Sequence, residues 1–267
     1  MRTRCVRSWL GAAALLAVPA AGAAAATRAA HDPQQCARPA LWVVSDHDTI
    51  IYLFGTIHTH DGKAHWFDHA VRRAFDASDS LVLETIVPDA LPKPETPVPG
   101  SGLAKARDTV RAASGLGMRV DLGADLVLHR AAASAGKPVI GLESFAQQLD
   151  MYRSLPSPAR PAAPAAAPAA VSALDAQLAP FLKAMVDSWN RGDPAPIEAV
   201  VGAVRHQSPH AYRLLFTDRN AAWAKWIGTR LEQPGTVFVA VGTGHLVGED
   251  SVQAKLARAG IPSARVN

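Results

Sequence analysis

Four residues able to hold a metal or move a proton each follow an apolar run. His58 closes Ile50-Ile51-Tyr52-Leu53-Phe54-Gly55-Thr56-Ile57-His58, and His245 closes Val237-Phe238-Val239-Ala240-Val241-Gly242-Thr243-Gly244-His245. Both segments read as a buried strand, Gly-Thr, one spacer and His. Glu84 follows Ser80-Leu81-Val82-Leu83, and Glu143 follows Val139-Ile140-Gly141-Leu142. A glycine directly after a strand lets the backbone turn sharply or approach another group closely. Gly55, Gly242 and Glu143 are therefore expected to support the site. Each histidine then lies just past a strand's carboxyl end, where open α/β sheets build their sites. A lone histidine in such a place is more often a surface or hydrogen-bonded residue. Two in matched local frames point to two imidazoles converging on one point.

Neutral imidazoles and carboxylates are the ligands of divalent ions. Two His and one Glu with an open position form a hydrolytic arrangement, in which the ion lowers the pKa of bound water to ~7. His58 and His245 with one of the two strand-end carboxylates, Glu84 or Glu143, offer such a set. The helical H-E-x-x-H of zinc proteases is absent, as is the G-x-S-x-G elbow of α/β serine hydrolases. Gly244-His245-Leu246-Val247-Gly248 lacks the Lys-Ser/Thr of a phosphate-binding loop. Glu84 and Glu143 also have structural readings, as helix caps or ion-pair partners of Arg219. His60, His65 and His69 crowd the same stretch, with His65 and His69 spaced for one helical face. They are read as solvated surface, outside the site. Trp223 and Trp226 are read as core packing.

The elements that must position these groups follow from periodicity and punctuation. Ala40–Val44 and Thr49–Phe54, joined by Ser45-Asp46-His47-Asp48, read as a β-hairpin. Apolar spacing predicts a helix over 67–77, then the strand ending at Glu84, a βαβ crossover. Residues 88–102 are a Pro-rich loop. Helices follow over 103–114 and 125–135, then the short strand ending at Glu143. Ser144-Phe145-Ala146-Gln147 has the form of a capping box. Residues 156–170 are a low-complexity Pro/Ala excursion. Helices are expected over 174–189, 197–204 and 212–231, the last carrying Arg219 and Asn220. The second His strand, a helix over 251–259 and a strand near 261–266 complete the chain.

The chain has 267 residues, enough for one domain with a full core. Arg2, Arg4 and Arg7, an apolar stretch from Trp9 to Val18 and the run Ala23–Ala26 form the pattern of a secretory signal peptide over residues 1–26. An uncleaved anchor is the other reading, but the apolar core is short of the ~20 residues a span needs. Without the leader, 24 basic face 23 acidic side chains, a charge of +1. Nothing there favours nucleic acid, and no second apolar run is long enough to span a membrane. Cys36 is left alone once Cys5 departs, so no internal disulfide can form.

Several of these segments together resemble the TraB/GumN family, related to the Tiki metalloproteases. The matching stretches are Tyr52–His58, Leu81–Glu84, Gly136–Glu143 with Gln148, Arg219–Trp223 and Val239–Gly248. The resemblance implies an α/β (or α+β) single domain, with a central mixed sheet flanked by helices, similar to erythromycin esterases and a haem-binding lipoprotein. It implies a divalent metal, manganese or cobalt before zinc, held by His58, Glu84 and His245, and a peptide or protein substrate. Glu84 would be the third ligand or the general base. Arg219 would stabilise an oxyanion or hold Glu84, and Asn220 would support a ligand by hydrogen bonding. The short Pro-rich segment after Glu84 and the 156–170 insertion depart from the family pattern. The expected protein is a bacterial, periplasmic or secreted metal-dependent hydrolase: signal peptide 1–26, a disordered tail 27–39, and a domain over 40–267. A haem- or metal-binding protein without activity, or an inactive scaffold, is the alternative. Nothing in the sequence fixes an oligomeric state.

Export predicts a mature amino terminus near Ala24 or Ala26, in a soluble product. Intact-mass measurement of the exported protein checks it, and an intact Met1 confined to the membrane fraction would refute it.

Overall fold

The computed structural model describes residues 37–88, 101–155 and 168–267, with the backbone alone over 168–178. The expected signal peptide, the expected tail up to Cys36, most of the Pro-rich loop after Glu84 and most of the Pro/Ala excursion lie outside the described residues.

The strands are β1 Leu41–Ser45, β2 Thr49–Thr56, β3 Ser80–Leu83, β4 Val139–Gly141, β5 Gly235–Gly242 and β6 Ala264–Arg265. They form one mixed sheet in the order β4-β3-β5-β2-β1-β6. The four strands from β4 to β2 are mutually parallel, while β1 runs antiparallel to both β2 and β6. The central strands read as near-continuous apolar runs because both of their faces are covered. Successive side chains alternate between two cores. On one face Phe54, Leu81 and Phe238 pack with Phe75, Leu128 and Trp189. On the other, Leu53, Val82 and Val239 pack with Trp223, Ile227 and Leu256.

The covering helices come from α1 His69–Ala77, α3 Ala124–Ser134 and α5 Pro168–Arg191 on the first face. The second face takes α8 Asp218–Arg230 and α9 Val252–Arg258. Between them run α2 Gly102–Gly115, α4 Phe145–Ser154, α6 Ala195–Gln207 and the single turn α7 Pro209–Tyr212. No described helix is long and apolar enough to cross a membrane.

Local chemistry explains most boundaries. Asp46 Oδ1 accepts the backbone N–H groups of Asp48 and Thr49 and closes the hairpin. Ser144 and Gln147 form the expected capping box. Three expectations shift. The helix expected over 67–77 begins at His69, capped by Asp68, because Trp66 is drawn down to stack on Phe54 with ring centres 5.6 Å apart. His65 therefore lies outside the helix and shares no helical face with His69. The helix expected over 212–231 is interrupted by a wide turn over Arg213–Thr217. The last strand is reduced to Ala264–Arg265. The end of the polar tail is pinned: Arg38 N–H donates to Asn190 O at 2.7 Å, and Asn267 Nδ2 donates to Pro39 O at 2.8 Å.

The two Gly-Thr turns meet across the sheet. β2 and β5 are parallel neighbours with Gly55 opposite Val241 and Thr56 opposite Gly242. A Cβ at Gly55 would lie 2.9 Å from Thr243 Oγ1 and 3.2 Å from Thr243 Cα, so the glycine is required by close approach. We expect Gly55→Ala to cost about 1–3 kcal/mol through overpacking. In a double-mutant cycle followed by urea unfolding, Thr243→Gly should couple to it by at least about 0.5 kcal/mol. Strict additivity would show that Gly55 matters for another reason.

Candidate functional site

The four parallel strands end in the polar residues singled out in the sequence. Across the sheet these are Glu143 after β4, Glu84 after β3, His245 after β5 and His58 after β2. Arg219, near the start of α8, reaches into this row. Its Nη2 lies 2.6 Å from Glu84 Oε2 and 2.6 Å from Glu143 Oε1, its Nε 3.0 Å from Glu143 Oε2, and its Nη1 3.0 Å from His245 Nε2. One guanidinium therefore bridges two largely buried carboxylates and an imidazole, with a fork geometry a lysine lacks. Gln148, on α4, adds its Nε2 at 3.3 Å from Glu143 Oε1.

Glu84 is held by backbone as well. Gly242 N–H donates to its Oε1 at 2.6 Å, and a Cβ at Gly242 would sit 2.9 Å from the same oxygen. The glycine leaves room for the carboxylate. Burial opposes ionisation of Glu84, but its interactions with His245, Arg219 and His58 and the Gly242 N–H outweigh it and hold the carboxyl below its usual range.

His245 is buried and fixed in one tautomer. Asn220 Nδ2 donates to Asp250 O at 2.8 Å, which orients the amide. Asn220 Oδ1 then accepts from His245 Nδ1–H at 2.6 Å, leaving Nε2 as the lone-pair nitrogen. Nε2 lies 3.6 Å from Glu84 Oε1. Burial, reinforced by Arg219, pushes the His245 pKa below the usual imidazole value and keeps the ring neutral. Trp223 closes the ring on one side with centroids 4.5 Å apart, and the Arg219 guanidinium stacks on the same indole at 4.6 Å. Trp223 is core, as expected, and also a wall of the site.

His58 differs from His245. Its side chain is 63% exposed, and its Nδ1 lies 3.1 Å from Asp125 Oδ2. The Asp125 charge holds its pKa above the usual imidazole value. Asp125 lies in the first turn of α3, whose start is tied to the His58 strand by Ala124 N–H donating to Ile57 O at 2.8 Å. Sequence reasoning missed Asp125, because an acid at a helix start reads as a partner of the helix dipole. It also misread His60. That side chain is buried, with Nδ1 accepting from Gly62 N–H at 2.9 Å and Nε2 3.2 Å from Asn190 Oδ1, a satisfied core histidine rather than solvated surface.

The donor set fits a divalent ion in kind. Glu84 is ionised, His245 is neutral, and the His58 Nδ1 is held by a carboxylate, the usual outer partner of a metal-bound imidazole. The same carboxylate raises the His58 pKa, so an ion binding there must displace a proton from the ring. The arrangement is looser than a formed metal cage. Among the described residues, the group of three ligand-type side chains with donor atoms within 4.8 Å of one another is Asp46, His47 and Asp48, on the exposed hairpin turn. His58, Glu84 and His245 are not drawn together that tightly, and the Arg219 N–H occupies the lone pair of His245 Nε2. Beside His58 and Glu84 lies a cavity of about 290 Å³.

Fold and site define an α/β protein with a buried carboxylate–imidazole–guanidinium centre at the carboxyl ends of parallel strands. The chain belongs to the TraB/PrgY/gumN family, whose profile matches residues 40–111 and 102–265. It is 31% identical over 137 residues to the uncharacterized protein YbaP of Escherichia coli (strain K12), and equally to that of Shigella flexneri. The match covers 51% of this chain and 48% of each relative, so it spans about half of their length. No solved structure matches the chain.

Removing Arg219 leaves two carboxylates buried without their cation. Arg219→Met should cost about 3–5 kcal/mol, whereas the triple variant that also carries Glu84→Gln and Glu143→Gln should regain much of it. Urea unfolding checks both. Equal stability of Arg219→Met and the native chain would refute the bridging role.

Proposed function

We propose that this family member is an exported metal-dependent hydrolase acting on a peptide bond, with His58, Glu84 and His245 as the residues that would hold the ion. The observation that carries the reading is the Glu84 carboxylate lying 3.6 Å from the neutral Nε2 of His245, beside a cavity that His58 also lines. A divalent ion bound there supplies a water acidified to near neutral pH and a Lewis acid for the carbonyl. Glu84, ionised and held by Gly242 N–H, serves as the third ligand or, where the two His alone hold the ion, as the base that takes a proton from an attacking water. Arg219 supplies the fixed positive charge that keeps Glu84 ionised. Asn220 keeps His245 Nδ1 protonated, so Nε2 carries the lone pair, which an ion would have to take over from the Arg219 N–H. Asp125 does the corresponding work for His58. The leader over residues 1–26 supports export to the periplasm or beyond.

Manganese, cobalt or zinc should bind the mature protein. His58→Ala and His245→Ala should each abolish it, and Asp125→Asn should weaken it about 10–100-fold. Metal analysis after equilibrium dialysis, with circular dichroism as the fold control, is the test. Full occupancy in the double His variant would sink the metal centre. A haem Soret band lost with His58→Ala would favour binding without hydrolysis.

A further inference from the structure

The cavity beside the centre is walled by two kinds of group. Leu83, Ile86, Val87, Val120 and Leu126 give it an apolar lining, and Ile86, Val87 and Val120 stand exposed, Val87 at 49%. Exposed aliphatic side chains gathered at the mouth of an apolar cavity, rather than scattered, mark a ligand surface. Thr85 and Asp125 are among the polar residues that line the same cavity, which also include His129, Gln148 and Tyr152. Thr85 Oγ1 and Asp125 Oδ1 are each buried without a hydrogen-bond partner among the described residues. Buried polar atoms normally have partners, so two orphans in one cavity call for an explanation. The other oxygen of Asp125 is occupied by His58.

We propose that this cavity takes the apolar side chain of a peptide substrate, while Asp125 Oδ1 and Thr85 Oγ1 pair with the peptide's own backbone, a reading that rests on hydrolysis at the adjoining centre. Each peptide residue offers one N–H donor and one C=O acceptor. Asp125 Oδ1 accepts the N–H, and the Thr85 hydroxyl donates to the C=O. A hydrocarbon chain would fill the apolar wall and leave both orphans unmet. A lysine or glutamate side chain would bury its charge against that wall, where Glu84 is already paired with Arg219 and Asp125 with His58. At about 290 Å³ the cavity sits at the lower bound of ligand pockets, ~300–1,000 Å³, which suits one residue rather than a large cofactor. Because His58 and Glu84 line the same cavity, a branched aliphatic or aromatic residue seated there brings its flanking amide to the centre. Leucine- or phenylalanine-like residues next to the cleaved bond are the expected preference.

The test reads binding, so that it is separate from hydrolysis. The metal-free mature protein is titrated with N-acetyl-L-leucinamide, N-acetyl-L-lysinamide and hexanoate, followed by methyl NMR. Leucinamide should shift the methyl signals of Leu83, Val87 and Leu126, with lysinamide and hexanoate at least about tenfold weaker. Val87→Asp, at an exposed position that leaves the fold alone, should weaken leucinamide binding about tenfold, since it places a charge on the apolar rim. Thr85→Val should weaken leucinamide and leave hexanoate unchanged. Equal binding of leucinamide and lysinamide, tighter hexanoate, or indifference to both variants would each overturn the proposal. Selective leucinamide binding in a protein that holds no metal and cleaves no peptide would leave the pocket standing and remove the hydrolytic reading instead.

Discussion

The centre of this protein depends on one buried cation. Two carboxylates that end neighbouring strands cannot both stay ionised in a shared, largely buried place unless positive charge and hydrogen bonds compensate them. Arg219 does so for Glu84 and Glu143 together, and takes the lone pair of His245 as well. Its planar fork reaches three acceptors from one position, which a point charge on a flexible stem does not. The same guanidinium rests on Trp223, so its place is fixed by packing as well as by charge.

Arg219 itself needs an unusual helix. The chain enters α8 through the wide turn over Arg213–Thr217, and wide turns of this kind are frequent at functional sites. Leu215 O, within that turn, accepts from Arg219 Nη1 at 3.2 Å. Tyr212 and Thr217, which bracket it, both donate to Asp250 Oδ2. Asp250 O in turn orients Asn220, and through it His245. The wide turn, Asp250 and Asn220 thus form one hydrogen-bonded chain under the site. It fixes the tautomer of a ring two elements away.

The two histidines are set for different work. His245 is enclosed, neutral and tied on both nitrogens, so it contributes a fixed donor with little freedom. His58 is exposed and held only through Nδ1 by Asp125. His58 and Glu84 line the cavity, whereas His245 does not. Local motifs of the same form, strand-Gly-Thr-x-His, therefore give unlike environments. Thr56, not Gly55, stands opposite Gly242, so the two motifs are offset by one residue across the sheet.

The sequence by itself determined which segments are buried strands and which polar residues stand at their ends. An apolar run inside the sheet can hold no charge, so the first ionisable residue after it marks the rim of the sheet. Hence His58, Glu84, Glu143 and His245 were legible before any coordinates, as were Arg219 and Asn220 through the family's motifs. The tertiary structure alone decided their order and partners. Strand β5 enters between β3 and β2, which places His245 between Glu84 and His58. That order follows from crossover paths and from the packing of both helical layers, which no local pattern encodes. The partners of Arg219 lie 76 and 135 residues away in sequence, and Asp125 meets His58 across 67. His60 went the other way, from apparent surface to core, because Gly62 and Asn190 supply its two hydrogen bonds. Charge pairing and burial at such separations are settled by which elements pack together, and that information is held by the whole chain at once.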